Sequence, residues 1–497
     1  METLGLLLNG FVQTISPANL LACLVGCLLG TIVGILPGIG PTATTALLIP
    51  VAFVINPTST LVMMLGIYAG AMYGGALTSI LVNIPGEASS VMTAVDGYQM
   101  AKQGRGGVAL VIAQVGSFIG GTLSVVGLML IAKPLAEFAL RFGPAEYFSL
   151  MLFALVLAST LVSESPLKGL TGVVVGLLLA TIGTDLQTGV ARFAFDIPEL
   201  LDGIDDVIVI IGLFGVNEVL DYLVMTKGRE DSQKMDAGRW IPTIEEWRQS
   251  AWPIVRGTFV GFLTGVLAAG ATLGSFLAYG LEKRISKTPE KFGKGAIEGL
   301  ASCETANNSS TGGALIPLLT LGIPLSGTTA VLLTVLLMYG LRPGPNLMVE
   351  QATLMWTAIA SMYLANVILL ILNLPAVGLF IQILRVPLTF LMPVVLVFAC
   401  VGALALNSNL SDVGLVLGFG ILGLIMRWLG FPTVSVVLGV VLGERIEQSL
   451  RQALMMSTSG FLTFVTKPIS LFFLLLTVAL VTVDLMARRK GHKAGEA

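Results

Sequence analysis

The chain has 497 residues, of which 55% are hydrophobic and only 11% charged, with a net charge of −2. Soluble domains carry about 25% charged residues, so this chain cannot cover an apolar core with polar surface, and its charge balance excludes a broad basic face for nucleic acid. The single histidine, His492, excludes His-based general-base, triad and metal chemistry, so no enzyme and no resident cofactor is expected.

No Lys or Arg precedes Lys102. The positive start of a secretory signal is missing, and the first apolar stretch is expected to stay as a membrane segment. Long apolar runs then recur, at Leu20 to Leu36, Val108 to Ala132, Tyr147 to Val162, Val207 to Leu220 and Ile469 to Leu485. Continuous runs of this length read as an all-α polytopic membrane protein, whereas a barrel would alternate. At about 20 residues per crossing, roughly ten to twelve spanning or partly spanning segments are expected. Cys23, Cys27, Cys303 and Cys400 lie among apolar or small residues and read as packing groups, with no zinc or disulfide framework.

Glycine recurs every fourth residue at Gly26, Gly30, Gly34 and Gly38, again at Gly66, Gly70 and Gly74, and again at Gly257, Gly261 and Gly265, followed by Ala269. Such ridges let helices approach closely in lipid. "YGGALTSILVNIPG" (Tyr73 to Gly86) also resembles "TGGALIPLLTLGIPLSG" (Thr311 to Gly327), in the same order relative to the ridges. The chain therefore divides into a first membrane repeat (1–225), a polar linker (226–250), a second repeat (251–485) and a basic tail (486–497). Parallel and inverted repeats both fit the sequence. The tail "RRKGHK" favours a cytoplasmic C-terminus. The polar stretches Thr226 to Ser250 and Glu282 to Gly299 cannot share that side if residues 251–281 cross once.

Four stretches combine Pro or Gly with Ser, Thr or Asn: "PGIGPTATT" (37–45), "NIPGEASS" (83–90), "ANNSSTGG" (306–313) and "GIPLSGTT" (322–329). Within a membrane, non-helical backbone is tolerated only against protein or a water-filled cavity, so these read as broken or re-entrant helices meeting at a site. Ordinary capping and kinking is the alternative. Helix N-termini favour a carboxylate, and carbonyl, amide and hydroxyl oxygens favour Na⁺. None of the four stretches carries Lys or Arg.

One half of a shared substrate and cation site is expected from Asn307, Asn308, Ser310 and Thr311 with Pro324, Ser326, Gly327 and Thr328. The other half is expected from Gly38, Gly40, Thr42 and Thr44 with Pro85, Gly86, Ser89 and Ser90. Asn307, Asn308, Thr311 and Gly322 are the expected Na⁺ ligands, because an Asn offers both a carbonyl acceptor and amide donors. Glu87 and Glu304 read as proton or cation ligands, or as helix caps. Asp185, Asp196, Glu199, Asp202, Asp205 and Asp206 cluster with only Arg192 nearby in sequence. That segment reads as a solvated, non-cytoplasmic face or as a docking surface for a partner, with Asp202, Asp205 and Asp206 as the docking residues.

"GILPGIGPTATTALLIP", "GGALTSILVNIPGEASSVMTAVDGYQMAKQGRGGVAL" and "EGLASCETANNSSTGGALIPLLTLGIPLSGTTAVLL" together resemble the large membrane subunit, TctA type, of the tripartite tricarboxylate transporters. "GTDLQTGVARFAFD" and "IGLFGVNEVL" match that family's middle pattern, so the resemblance runs over essentially the whole chain. One departure is "GVLAAGATLGSF" (265–276), where the family carries Pro-Gly. The resemblance implies a bacterial inner-membrane importer of an organic di- or tricarboxylate such as citrate, with Na⁺ as coupling ion. It also implies inverted repeats with an elevator-like movement, a small membrane subunit of TctB type and a periplasmic solute-binding protein of TctC type. No G-x-x-x-x-G-K-[ST] motif supports nucleotide drive. A stand-alone carboxylate or ion transporter, and a channel or structural membrane subunit, remain the alternative readings.

Overall fold

The computed structural model describes residues 2–36, 40–52, 54–83, 85–162, 165–185, 188–225, 238–267, 270–375, 388–407, 409–457 and 459–495. Gly38, Ala269, residues 226–237 of the expected linker and the side chains of the basic tail lie outside the described residues. The described chain is helical almost throughout. The departure from an all-α fold is one short antiparallel pairing, Gly183–Thr184 with Ala191–Arg192 in the acidic segment. Among the described residues six helices are long and apolar enough to cross a membrane: Pro17–Ile35, Pro57–Val82, Gly106–Ala139, Asp206–Val224, Ala352–Asn373 and Leu410–Trp428. A pair bent by 86°, Gly460–Thr466 with Pro468–Thr482, makes up to a seventh, and shorter apolar helices include Pro144–Thr160 and Gly327–Met338. The chain is thus a polytopic helical membrane protein.

The helix ends follow local chemistry. Pro57 occupies the first turn of its helix, where a missing N–H is harmless, and Asn56 accepts from the Ser59 amide at 2.9 Å. The same helix stops at Asn83, which adopts a left-handed φ of 58°. Helix Ile297–Leu321 stops at Gly322 with φ 70°. Helix Ile244–Val266 starts with a reciprocal cap between Thr243 and Glu246.

The glycine ridges set the closest crossings. A Cβ on Gly26, Gly30 or Gly34 would stand 2.2, 2.4 and 2.3 Å from the carbonyl oxygens of Met63, Ile67 and Ala71. In the second half a Cβ on Gly257, Gly261 or Gly265 would stand 2.4, 2.2 and 2.3 Å from those of Ser302, Ala306 and Ser310. The return contact also recurs, Gly74 against the Thr31 carbonyl and Gly313 against that of Phe262, each at 2.4 Å. Pro17–Ile35 on Pro57–Val82 and Ile244–Val266 on Ile297–Leu321 are therefore the same crossing made twice. Each is followed by the same break. Gly40, at φ 53°, opens helix Gly40–Leu47, and Gly270, at φ 70°, opens helix Gly270–Ile285. The second half lacks the Pro-Gly pair yet breaks at the matching place, because a lone glycine supplies the left-handed turn.

Residues 251–281 do not cross once. Helix Gly270–Ile285 folds back along Ile244–Val266, and Arg256 holds the buried Glu282 with both nitrogens, at 2.6 and 2.8 Å. The flanking polar segments consequently lie at one end of the molecule. There Arg105 and Arg239 both pair with Glu246, at 2.9 and 2.6 Å, and the Gln103 amide donates to the Lys294 carbonyl at 2.8 Å. Burial pushes the Glu246 carboxyl up, but the Thr243 amide and the two guanidiniums outweigh it and hold the group at about 2. Nearby, Asp96 is fully buried and accepts from the amides of Gly293, Gly295 and Ala296 at 2.8, 2.8 and 2.9 Å and from the Tyr279 hydroxyl at 2.9 Å. That clamp fixes the start of Ile297–Leu321.

The far end of Ile297–Leu321 meets the opposite end of the molecule, where the Gly344 amide donates to the Leu319 carbonyl at 3.2 Å. Pro57–Val82 starts at that same end, with Thr60 bonded to Tyr339 at 2.7 Å. The two corresponding helices thus run in opposite directions.

Overpacking a well-packed site typically costs ~1–3 kcal/mol, and here the obstacle is backbone. Gly30→Leu and Gly261→Leu are each expected to abolish the folded species in detergent size-exclusion and melting measurements. Gly280→Leu, with no atom within 4 Å of its Cβ, is expected to melt like the parent protein.

Candidate functional site

Ile297–Leu321 is the most polar of the buried helices. Glu304, Thr305, Asn307, Asn308, Ser309, Ser310 and Thr311 are all at least 95% buried along it. "ANNSSTGG" is therefore not a break: it lies mid-helix, where Gly312 and Gly313 pass the Ser124 side chain and the Phe262 backbone. Its hydroxyls close onto the preceding turn. Ser310 and Thr311 donate to the Asn307 and Asn308 carbonyls, each at 2.7 Å, and Ser309 crosses to the Thr258 carbonyl at 2.7 Å. A hydroxyl that donates to its own helix keeps lone pairs free to accept.

The other three breaks stand as non-helical or left-handed backbone. After Val82 the chain leaves the helix, and Gly86 packs so closely on Gly34 that a Cβ would fall 1.8 Å from the Gly34 carbonyl oxygen. This places Glu87 over Gly75 and beside the polar helix. Asn307 donates its amide to Glu87 at 3.2 Å, and Ser89 donates to the same carboxylate oxygen at 2.5 Å. Ser90 turns back onto the Glu87 carbonyl at 2.9 Å. Thr93, from the helix that follows, donates to Glu304. Asn308 donates to Ser117 at 2.7 Å. Thr93 and Asn307 thus tie both carboxylates, Glu304 and Glu87, to the polar helix and the segment beside it.

The second of the two remaining breaks, at 322–329, opens against the one at 37–45. Ser326 caps helix Gly327–Met338 by accepting from the Thr329 amide at 3.3 Å, while the Thr329 hydroxyl takes the Ser326 amide at 2.9 Å. Thr328, in the first turn of this helix, lies 2.9 Å from Thr42, in the first turn of Gly40–Leu47. Two helix N-termini from different halves therefore touch. Tyr68, buried in Pro57–Val82, is within electrostatic reach of Glu87 and near Ser326. A π-helical stretch, Ile211–Val216, backs both starts: Gly215 packs on Leu47, and Phe214 faces Gly327.

Of the expected site residues, Thr42 meets Gly327 and Thr328, and Ser89 and Asn307 share one Glu87 carboxylate oxygen, while Gly86 packs on Gly34 and Gly75 and Ser90 turns onto the Glu87 carbonyl. Asn308 points its amide toward Ser117. Thr44 donates to the Gly40 carbonyl at 2.7 Å, within its own first turn. Gly322 does not join them: it lies about 22 Å along the helix axis from Asn307 at ~1.5 Å per residue, and Pro324 sits buried in the extended turn beyond it. Tyr68, Thr93 and Ser117, which complete the cluster, carry no mark in the sequence, since each sits in an ordinary helical context.

The acidic segment sits elsewhere, at the end where Ile297–Leu321 finishes. Asp185 pairs with Arg451 at 2.7 Å and with Arg192 at 3.4 Å, and Glu447 pairs with both arginines at 2.5 and 2.7 Å. Arg192 is thus not the only cation facing these acids. Asp205 caps helix Asp206–Ile210 by accepting from the Val207 amide at 2.8 Å, and Asp202 and Asp206 line a cavity of about 600 Å³.

Residues 20–438 match the Tripartite tricarboxylate transporter TctA family. The chain belongs to the TctA family. It is 44% identical to an Agrobacterium vitis protein described as the uncharacterized 52.8 kDa protein in the TAR-I ttuC' 3' region, over 98% of this chain and 97% of that one. It is 40% identical to an uncharacterized protein in the TAR-II ttuC' 3' region of the same organism, over 46% of this chain and 94% of that one. No solved structure matches the chain significantly. As a TctA-family chain it is a membrane transporter, not an enzyme, and a multi-pass protein of the inner membrane.

The contact between the two breaks is directly testable. In a variant lacking the four native cysteines, Thr42→Cys with Thr328→Cys is expected to form a disulfide under mild oxidation, read by mass spectrometry of the intact protein. Thr42→Cys paired with Gly322→Cys is expected to stay reduced. Cross-linking of the second pair and not the first would contradict the geometry.

Proposed function

We propose that this chain is the large subunit of a secondary active importer that moves an organic di- or tricarboxylate into the cell, coupled to Na⁺. The observation that carries the reading is a pair of buried oxygens. Glu304 Oε2 and Asn307 Oδ1, one helical turn apart, have no hydrogen-bond partner among the described residues. An unsatisfied buried acceptor costs ~1–3 kcal/mol, and a small hard cation coordinated by oxygens removes that penalty. Glu87, Ser89 and Ser117 border the same position. The carboxylate substrate fits the neighbouring pair of helix starts at Thr42 and Thr328, whose positive dipole ends favour an anion. Placing cation and anion in adjacent parts of one cluster lets each favour the other's binding, which is the physical content of coupling.

The twice-made glycine crossing, with its corresponding helices running oppositely, supports an inverted repeat. On this reading the shorter apolar helices complete the expected ten to twelve full or partial spans, and the break-bearing core moves in an elevator-like manner. Lys and Arg gather around residues 102–105, 239–256 and 283–294, so that end is assigned to the cytoplasm by the positive-inside rule. The acidic segment then faces the periplasm, where Asp202, Asp205 and Asp206 would receive the solute-binding protein of TctC type. A small membrane subunit of TctB type completes the assembly.

The test is uptake into proteoliposomes containing this chain and its small subunit, supplied with binding protein, a panel of carboxylates and a Na⁺ gradient. Parent protein is expected to accumulate one or more carboxylates only with the gradient and the binding protein. Glu304→Gln and Asn307→Ala are expected to reduce uptake about tenfold to hundredfold, the equivalent of ~1.5–3 kcal/mol per bond to a charged ligand, and to shift its Na⁺ dependence. Folded variants with unchanged uptake and Na⁺ dependence would remove the cation site, and uptake indifferent to the binding protein would remove the tripartite reading.

A further inference from the structure

Two arginines stand apart from the ion pairs at the acidic end. Arg342 follows the Gly327–Met338 helix, and Arg445 lies in helix Thr433–Met456. They are close enough to repel each other. Among the described residues no carboxylate lies within salt-bridge distance of either, whereas Arg192, Arg427 and Arg451 all have such partners. Asp206 and Glu444 act on Arg445 only from a distance.

Both guanidiniums line a second cavity of about 600 Å³, and its remaining polar lining is mainly neutral: Asn346, Gln351, Gln448, Ser449 and Gln452, with Glu350 as the one acid. The same two arginines also line the acidic-segment cavity, so the pair stands at the partition between the two. The floor of the second cavity is the second break itself. A Cβ on Gly322 would lie 3.1 Å from an Arg445 terminal nitrogen and 2.4 Å from the Pro343 carbonyl oxygen. Gly322 has to be glycine because of its φ of 70° and the Pro343 carbonyl, and Arg445 reaches this end of the polar helix.

Two guanidiniums that repel each other and hold no carboxylate within salt-bridge distance are relieved by an anion that takes both. Guanidinium forks match carboxylates in a bidentate manner, and a molecule with two or three carboxylates can bridge two forks while amides bind its hydroxyl or remaining oxygens. A cavity of this size lies within the ~300–1,000 Å³ range of small-molecule sites. We propose that Arg342 and Arg445 form a capture site for a di- or tricarboxylate, distinct from the helix-start site at Thr42 and Thr328 and preceding it on the inward path. This rests on the transport reading for direction and on the arginine geometry for chemistry.

The test uses the full-length chain in lipid nanodiscs, modified with phenylglyoxal with and without a panel of citrate, succinate and malate at fixed ionic strength, and read by peptide mass spectrometry. At least one member of the panel is expected to slow modification of Arg342 and Arg445 about tenfold, while Arg239 at the other end is unaffected. In proteoliposomes Arg445→Gln is expected to raise the uptake KM about tenfold, equivalent to one charge-assisted bond, with a much smaller change in maximal rate, and Arg445→Lys to recover only part of the loss. Absence of protection by every carboxylate, in protein that transports, overturns the capture site and leaves the transport reading intact. Protection in protein that transports nothing keeps the site and overturns the transport reading instead.

Discussion

Where Gly26, Gly30 and Gly34 cross Pro57–Val82, and where Gly257, Gly261 and Gly265 cross Ile297–Leu321, two backbones lie closer than any side chain would permit. In lipid there is little hydrophobic drive between helices, so association rests on packing and hydrogen bonds. Backbone contact maximises the first and lets the hydroxyl of Ser309 reach the Thr258 carbonyl for the second. The two crossings hold the breaks at Gly40 and Gly86 at fixed depths, and through Gly86 on Gly34 they hold the first carboxylate, Glu87, against the polar helix.

That polar helix is tolerable only because it is enclosed. A row from Glu304 to Thr311 would be prohibitive against lipid, but each group except a few oxygens is matched by Thr93, Ser117, Glu87 or the helix's own carbonyls. The exceptions give the site its character. Among the described residues Glu304 Oε2 and Asn307 Oδ1 are left without a hydrogen-bond partner, and the starts of two helices meet at Thr42 and Thr328. Neither feature needs a cationic side chain within the breaks. Arg342 and Arg445 enter only at the cavities beside the acidic segment.

Much of this is legible in the sequence because periodicity and punctuation are local. The four-residue glycine beat and the Pro and Gly clusters mark the two matching crossings and three real breaks. "ANNSSTGG" reads as a break because Asn, Ser and Gly are poor helix formers, a preference that burial and back-bonding override. Asp96, Tyr68, Thr93, Ser117 and the Arg342–Arg445 pair are not legible, because their meaning depends on partners far away in the chain. The hairpin from 244 to 285 is hidden for a similar reason: Arg256 and Glu282 look like unrelated charges until the chain folds back on itself.

The central claim is that Glu304 and Asn307 bind the coupling cation, and equilibrium binding of radioactive Na⁺ to the purified chain tests it without transport, substrate or partners. Saturable binding is predicted for the parent protein, retained in Thr42→Val and lost in folded Glu304→Gln and Asn307→Ala. Undiminished Na⁺ binding in both of the latter variants would contradict the account.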